Sequence, residues 1–281
     1  IARQILFMRA AFKLPVRFLL MNSFTTSADT LQHLEQYPEL GPSQDLELMQ
    51  GLAPKVDARS LRPVAWPPNP QLEWCPPGHG DLYPSLLGSG WLDRLLAADI
   101  RYLFVSNSDN LGASLDVGLL TCFAQSGKSF LMEVTERTEA DKKGGHLARN
   151  AQGKLLLRES AQCPEADLGA FQDIRRHRFF NTNNLWIRLD HLPALLDRHS
   201  GIVPLPLIKN AKTVDPRDKK SIPVFQLETA MGAAIECFDD AGAVNVPRSR
   251  FAPVKTTADL LALRSDAYEI TEDWRLMLHP A

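Results

Sequence analysis

Two periods of apolar and polar positions run along this chain. Short apolar runs end abruptly at polar clusters, and longer stretches repeat their apolar positions three and four apart. The first kind predicts strands and the second helices, and their alternation points to an α/β protein whose sheet is covered by helices. Strands are expected at 17–21, 101–105 and 130–134, with shorter ones at 178–180 and 205–208. Segments 145–149 and 154–158, joined by a turn at 150–153, read as a hairpin, so the sheet should be mixed. Helices are expected near 28–37, where Thr25, Thr26 and Ser27 offer caps, and at 86–98, 189–199 and 226–238. A last helix starts at Thr256, where Thr256-Thr257-Ala258-Asp259 has the hydroxyl-to-carboxylate spacing of a capping box. Segment 1–10 resembles the middle of an amphipathic helix. Prolines at 63, 67, 68, 70, 76, 77 and 84 exclude regular structure from most of 63–77. No repeat or break in composition divides the chain, so one domain is expected.

Composition narrows the classes. The chain has 281 residues, 44% hydrophobic and 23% charged, an ordinary globular balance that excludes disorder and coiled coil. A net charge of -2, from 31 basic and 33 acidic residues, argues against a general nucleic-acid or anionic-membrane binder. Cys75, Cys122, Cys163 and Cys237 are too scattered for a zinc site, and reduced thiols in a cytoplasmic protein are the expectation. No apolar run approaches the roughly 20 residues of a membrane span.

Four segments can carry chemistry. Pro76-Pro77-Gly78-His79-Gly80-Asp81 stiffens a loop with prolines and lets backbone approach a ligand at its glycines. The alternative is a rigid turn bearing a surface histidine. Asn107, Asp109 and Asn110 lie at the carboxyl end of the 101–105 strand, where open α/β sheets bind ligands and a lone carboxylate can hold Mg²⁺ against phosphate. An Asx turn is the plainer account. Lys209 and Lys212, with Arg248, Arg250 and Lys255, form a basic group, and Lys255 adjoins a helix start that suits a phosphate. Such residues are more often a solvated face. Asn181-Thr182-Asn183-Asn184 offers amides fit for sugar hydroxyls or for a turn. Dinucleotide, P-loop, G-x-S-x-G and H-E-x-x-H signatures are missing from the sequence.

Taken in order, these segments resemble the eukaryotic-type UTP-glucose-1-phosphate uridylyltransferase (UDP-glucose pyrophosphorylase) family. The resemblance is carried by Met21-Asn22-Ser23-Phe24, the 76–81 loop, Val105 through Gly112, Met132-Glu133-Val134-Thr135 and Lys143-Gly144-Gly145. It continues through Phe180 to Trp186, Asn210-Ala211-Lys212-Thr213, Gln226 to Ala230, and Asn245 to Thr257. It implies a Rossmann-like nucleotidyltransferase fold with a mixed, mostly parallel central sheet flanked by helices. It also implies the Mg²⁺-assisted reaction of UTP with glucose 1-phosphate to give UDP-glucose and pyrophosphate. Carried over by position, Asp109 would hold the metal and Lys255 would contact nucleotide phosphates, both as catalytic residues. Gln50 and Gly78 would line the nucleotide with them. His79 and Asn107 would meet the sugar phosphate, and Gly145, Asn181, Asn183 and Glu228 the glucose. Residues 1–281 would form the catalytic domain without the family's upstream Gly-rich loop or its C-terminal β-helix, which implies little activity for this segment alone. A non-catalytic UDP-sugar-binding protein and a broader UDP-sugar pyrophosphorylase remain alternatives.

Overall fold

The computed structural model describes residues 1–279. Its centre is a six-stranded sheet organised around the ten-residue strand Phe179–Arg188. That strand pairs antiparallel with Tyr102–Val105 on one side and Phe130–Glu136 on the other. Phe130–Glu136 also pairs parallel with Gly242–Asn245. At the opposite end Phe180 meets His146, and the expected hairpin, His146–Arg149 with Leu155–Arg158, widens the sheet there.

The protein is therefore mixed α/β, but its central sheet is not mostly parallel. Among the described residues, only the Gly242–Asn245 pairing in this sheet is parallel. The reason lies in Phe179–Arg188, expected as a three-residue strand. Tyr102–Val105 and Phe130–Glu136 run in the same sense, and the long strand inserts between them in reverse. Its register slips at the asparagine run, with Asn181 opposite Val134 and Leu185 opposite Met132. The extra residues form a bulge, with Asn183 at φ 58°.

Side chains alternate across Phe130–Glu136, and this divides the core in two. Phe130, Met132 and Val134 pack in one cluster with Leu86, Leu92 and Leu195 from helices Leu82–Gly88, Trp91–Ala97 and Leu192–Arg198. Leu131 packs in the other with Trp186 and with Phe123 of helix Val117–Ser126. Each such buried side chain stabilises the fold by about 1.5–3 kcal/mol.

The expected 86–98 helix is two helices, broken at Ser89 and Gly90, where Gly90 takes φ 74°. The expected 226–238 helix is instead strand Pro223–Thr229 followed by the 3₁₀ helix Met231–Glu236. Its apolar spacing resembled a helix, but register from Leu207↔Thr229 to Thr213↔Pro223 gives the backbone a distant strand partner that overrides local period. Segment 1–10 falls within helix Ala2–Phe12, as its pattern predicts. No helix among the described residues is long and apolar enough to cross a membrane.

Candidate active site

The carboxyl end of Tyr102–Val105 runs into the 107–112 loop, which is tied to the 250–254 segment. Asn110, 1% exposed, is the tie. Its Nδ2 donates to Asn184 Oδ1 at 3.2 Å and to the Arg250 carbonyl at 3.1 Å, while its Oδ1 accepts from the N–H of Gly112 at 3.3 Å and of Ala252 at 2.9 Å. Leu111 N–H donates to the Ala252 carbonyl at 3.1 Å, and Val254 N–H donates to the Asp109 carbonyl at 2.9 Å. Asn110 and Pro253 form an isolated antiparallel bridge. Lys255, the next residue along, therefore leaves this bridge beside Asp109. Asn107 closes the loop by accepting Asn110 N–H on its carbonyl at 3.1 Å.

Two of the five basic residues suggested by the sequence, Arg248 and Arg250, are spent on anchoring. Arg250 grips Glu133, which is 0% exposed, through two bonds of 2.7 Å. Arg248 grips Asp141 at 2.7 and 3.0 Å. Burial pushes the Asp141 carboxyl up, but hydrogen bonds from Arg248 and Thr138 outweigh it and hold the group below the usual carboxylate range. Lys255 is exposed and forms no ion pair among the described residues. The helix start beside it already carries a carboxylate from within the chain. The capping box is present, and the Asp259 carboxylate accepts the N–H groups of Lys255 at 3.0 Å and Thr256 at 2.8 Å. The Asp259 charge offsets the helix dipole at this end, which leaves the Lys255 ammonium as the main attraction for a phosphate.

A second group forms where the glycine loop lies on the end of strand Pro223–Thr229. Thr229 N–H donates to the Pro77 carbonyl at 2.9 Å. Gly78 sits at φ 86°, and a Cβ there would stand 2.6 Å from the Thr229 carbonyl oxygen and 2.9 Å from Glu228 Cβ. The fit brings Glu228 and His79 together. Met231 N–H donates to His79 Nδ1 at 3.1 Å, so the neutral imidazole carries its proton on Nε2 and has a donor to offer. Burial lowers the His79 pKa and the Glu228 charge partly opposes it. Gln50 adjoins this group: its N–H donates to the Asn22 carbonyl at 2.8 Å, and Gly51 N–H donates to Asp81 Oδ2 at 2.6 Å.

The third group is the asparagine bulge with the hairpin start. Asn181 and Asn183 bond each other twice, Nδ2 to Oδ1 at 2.8 Å and N–H to Oδ1 at 2.9 Å. Asn181 N–H donates to the Gly145 carbonyl at 3.1 Å. A Cβ on Gly145 would stand 2.5 Å from the carboxylate of Glu159. Burial holds the Glu159 carboxyl above its usual range, and it has no hydrogen bond or ion pair among the described residues. Sequence reasoning passed over this residue, although an acid directly after the expected 154–158 strand was a visible signal.

Two links join the groups. Asn184 Nδ2 donates to Glu133 Oε2 at 3.0 Å, and its Oδ1 accepts from Asn110, tying the bulge to the Asp109 loop. Met231 bonds His79, and a Cβ on the adjacent Gly232 would lie 3.0 Å from Asn181 Nδ2, tying the bulge to the glycine loop. The ten candidates thus fall into one connected assembly. It holds no group of three or more His, Cys, Asp or Glu placed for a metal among the described residues. A cation at Asp109 would take one carboxylate from the chain and the rest of its oxygens from water or phosphate, a donor set that suits Mg²⁺.

Comparison with known proteins follows the same lines. Residues 1–281 match the family model described as UTP--glucose-1-phosphate uridylyltransferase. The enzyme of that name from Solanum tuberosum is 42% identical over 283 residues, covering 100% of this chain and 57% of its own. That from Saccharomyces cerevisiae is 44% identical over 280 residues, covering 99% and 55%. The chain thus spans about half the length of these curated relatives. A crystal structure of UDP-glucose phosphorylase from Trypanosoma brucei superposes with TM-score 0.92 at 52% identity, covering 99% of this chain and 60% of that one. A mutant UDP-glucose pyrophosphorylase from Leishmania major, solved in complex with UDP-Glc, gives TM-score 0.92 at 52% identity, covering 99% and 61%.

Proposed function

Because the chain belongs to the UTP--glucose-1-phosphate uridylyltransferase family, we propose that it works as the catalytic domain that makes UDP-glucose and pyrophosphate from UTP and glucose 1-phosphate. In this reaction a phosphate oxygen of glucose 1-phosphate attacks the α-phosphorus of UTP in line. The new P–O bond forms as the bond to the β-phosphate oxygen breaks, and pyrophosphate leaves. Nothing becomes covalently attached to the protein, so its work is to align the two phosphates and offset their mutual repulsion.

The residues divide this work by group. Lys255 places an ammonium at the nucleotide phosphates, while Gln50 and the bare backbone of Gly78 line the nucleotide. His79 offers its Nε2–H and Asn107 its side-chain amide to the sugar phosphate. Asn181, Asn183, Glu228 and the Gly145 backbone surround the glucose hydroxyls, and Glu159, whose carboxyl is unsatisfied, joins them. Asp109 would hold Mg²⁺, which supplies charge neutralisation on the phosphate oxygens when bound. Strands Tyr102–Val105, Phe130–Glu136 and Gly242–Asn245 share one direction, which supports a Rossmann-like ancestry for a sheet with two inverted members, Phe179–Arg188 and Leu155–Arg158. Four free cysteines suit a cytoplasmic setting.

The carrying observation is the backbone bridge that delivers Lys255 beside Asp109. The test is pyrophosphate release by the full-length protein from UTP with glucose 1-phosphate or galactose 1-phosphate. Turnover with a clear preference for glucose 1-phosphate is expected. Equal rates would establish the broader enzyme, and UDP-glucose binding without turnover would establish a non-catalytic binder.

A further inference from the structure

A cavity of about 860 Å³ opens between the hairpin and the Gly242–Asn245 edge of the sheet, and none of the ten candidate residues lines it. Its floor is apolar, with Leu147, Leu155 and Phe179 at the margin of the main core. Lys128, Arg149 and Arg176 line it as cations beside His177 and Asn245, and no carboxylate does.

These basic groups are positioned rather than scattered. The Lys128 stem lies across Gly242, where a Cβ would stand 2.6 Å from its Cδ, and its ammonium reaches the Asp240 carbonyl at 3.4 Å. Arg149 is fixed by donating to the Gly153 carbonyl at 2.7 Å. The His177 ring stacks on buried His146 with centroids 4.1 Å apart. None of Lys128, Arg149 and Arg176 makes an ion pair among the described residues. The nearby acids are occupied elsewhere: Asp240 accepts from the Ser129 N–H and hydroxyl, and Asp173 from the N–H groups of Arg175 and Arg176. Lys128 is half-buried and Arg149 and Arg176 are exposed, and with no carboxylate in the lining these three cations give the apolar floor a positive rim that favours an anionic ligand.

We propose that this cavity binds an amphiphilic anion, a small molecule carrying a carboxylate, sulfonate or phosphate on an apolar body. The volume suits a ligand of roughly drug size. The floor takes the apolar body, and the basic rim takes the charge. Phe179 lies two residues before the asparagine bulge, and His177 rests on the residue after Gly145, so an occupant would lie against the backs of both elements without touching the site.

The probe is 8-anilinonaphthalene-1-sulfonate, titrated by fluorescence into the full-length protein. Saturable binding is expected, displaced by dodecanoate but not by dodecanol. The double variant Arg149→Glu/Arg176→Glu should weaken it by about tenfold or more, while Lys255→Glu leaves it in place. Arg149→Gln/Arg176→Gln serves if charge reversal impairs folding, with a loss of about threefold or more expected. Unchanged affinity in a folded Arg149/Arg176 variant, equal displacement by the neutral alcohol, or loss in Lys255→Glu alone would overturn the proposal.

Discussion

Asp109 and Lys255 offer the proposed reaction two opposite charges that no ion pair among the described residues neutralises. Replacing either with alanine in the full-length protein is expected to lower turnover by about two to three orders of magnitude while leaving the melting temperature unchanged. Wild-type rates in either variant would refute the assigned roles. A different residue governs acid stability. His146 is fully buried with its Nε2 unpartnered, and burial, with the neighbouring His177, Arg137 and Arg158, lowers its pKa from 6.5 to about 4. The unfolded chain therefore binds more protons than the folded one between these values, and stability is lost as pH falls from 6.5 to about 4. Melting temperature measured against pH should drop across that window, and His146→Phe should flatten the drop. An unchanged slope would move the acid sensitivity to other groups. Asp109, Gly78 and His79 were legible in the sequence because their neighbours announce a loop at a strand end or a glycine turn. The buried role of Glu133 was not, since a single acid in an apolar run shows nothing of what folds against it.

The strand Phe179–Arg188 is the element on which the site depends. It carries Asn181 and Asn183 on its bulge, and Asn184 and Trp186 both donate to Glu133, whose other partner is Arg250. Arg250→Ala would leave a fully buried carboxylate without its counter-charge and is expected to cost about 3–5 kcal/mol, measured by urea denaturation. A loss under about 1 kcal/mol would show that the two remaining donors suffice. Sequence patterning underestimated this strand because a run of four polar residues reads locally as a turn. What keeps it in the sheet lies far along the chain, in Asn110, Glu133 and Arg250. The 226–238 segment failed for the same reason, its strand partner being Leu207–Thr213. The capping box at Thr256 was legible because all its partners lie within four residues.

At the scale of the molecule, three loop groups from separate parts of the chain become one site through side-chain links that no local pattern encodes. The order of the segments nevertheless identified the family, because each group kept its own short signature. The proposed role of Asp109 as a lone carboxylate for Mg²⁺ has a measurable consequence, since such a site would rely on water and substrate phosphate for its remaining oxygens. Chelation with EDTA should abolish turnover, and calorimetry should detect much tighter Mg²⁺ binding with UTP present than without it. Equal affinity in both states would argue against Asp109 as the metal residue. One last consequence follows from Asp259, which seals the start of helix Thr257–Arg264 from within. With the helix dipole offset there, the proposed capture of the nucleotide would rely mainly on a solvated ammonium whose reach is the Debye length, about 8 Å at physiological ionic strength. The apparent KM for UTP should climb steeply with added salt while the KM for glucose 1-phosphate, proposed to be held by a neutral imidazole and amides, stays nearly level.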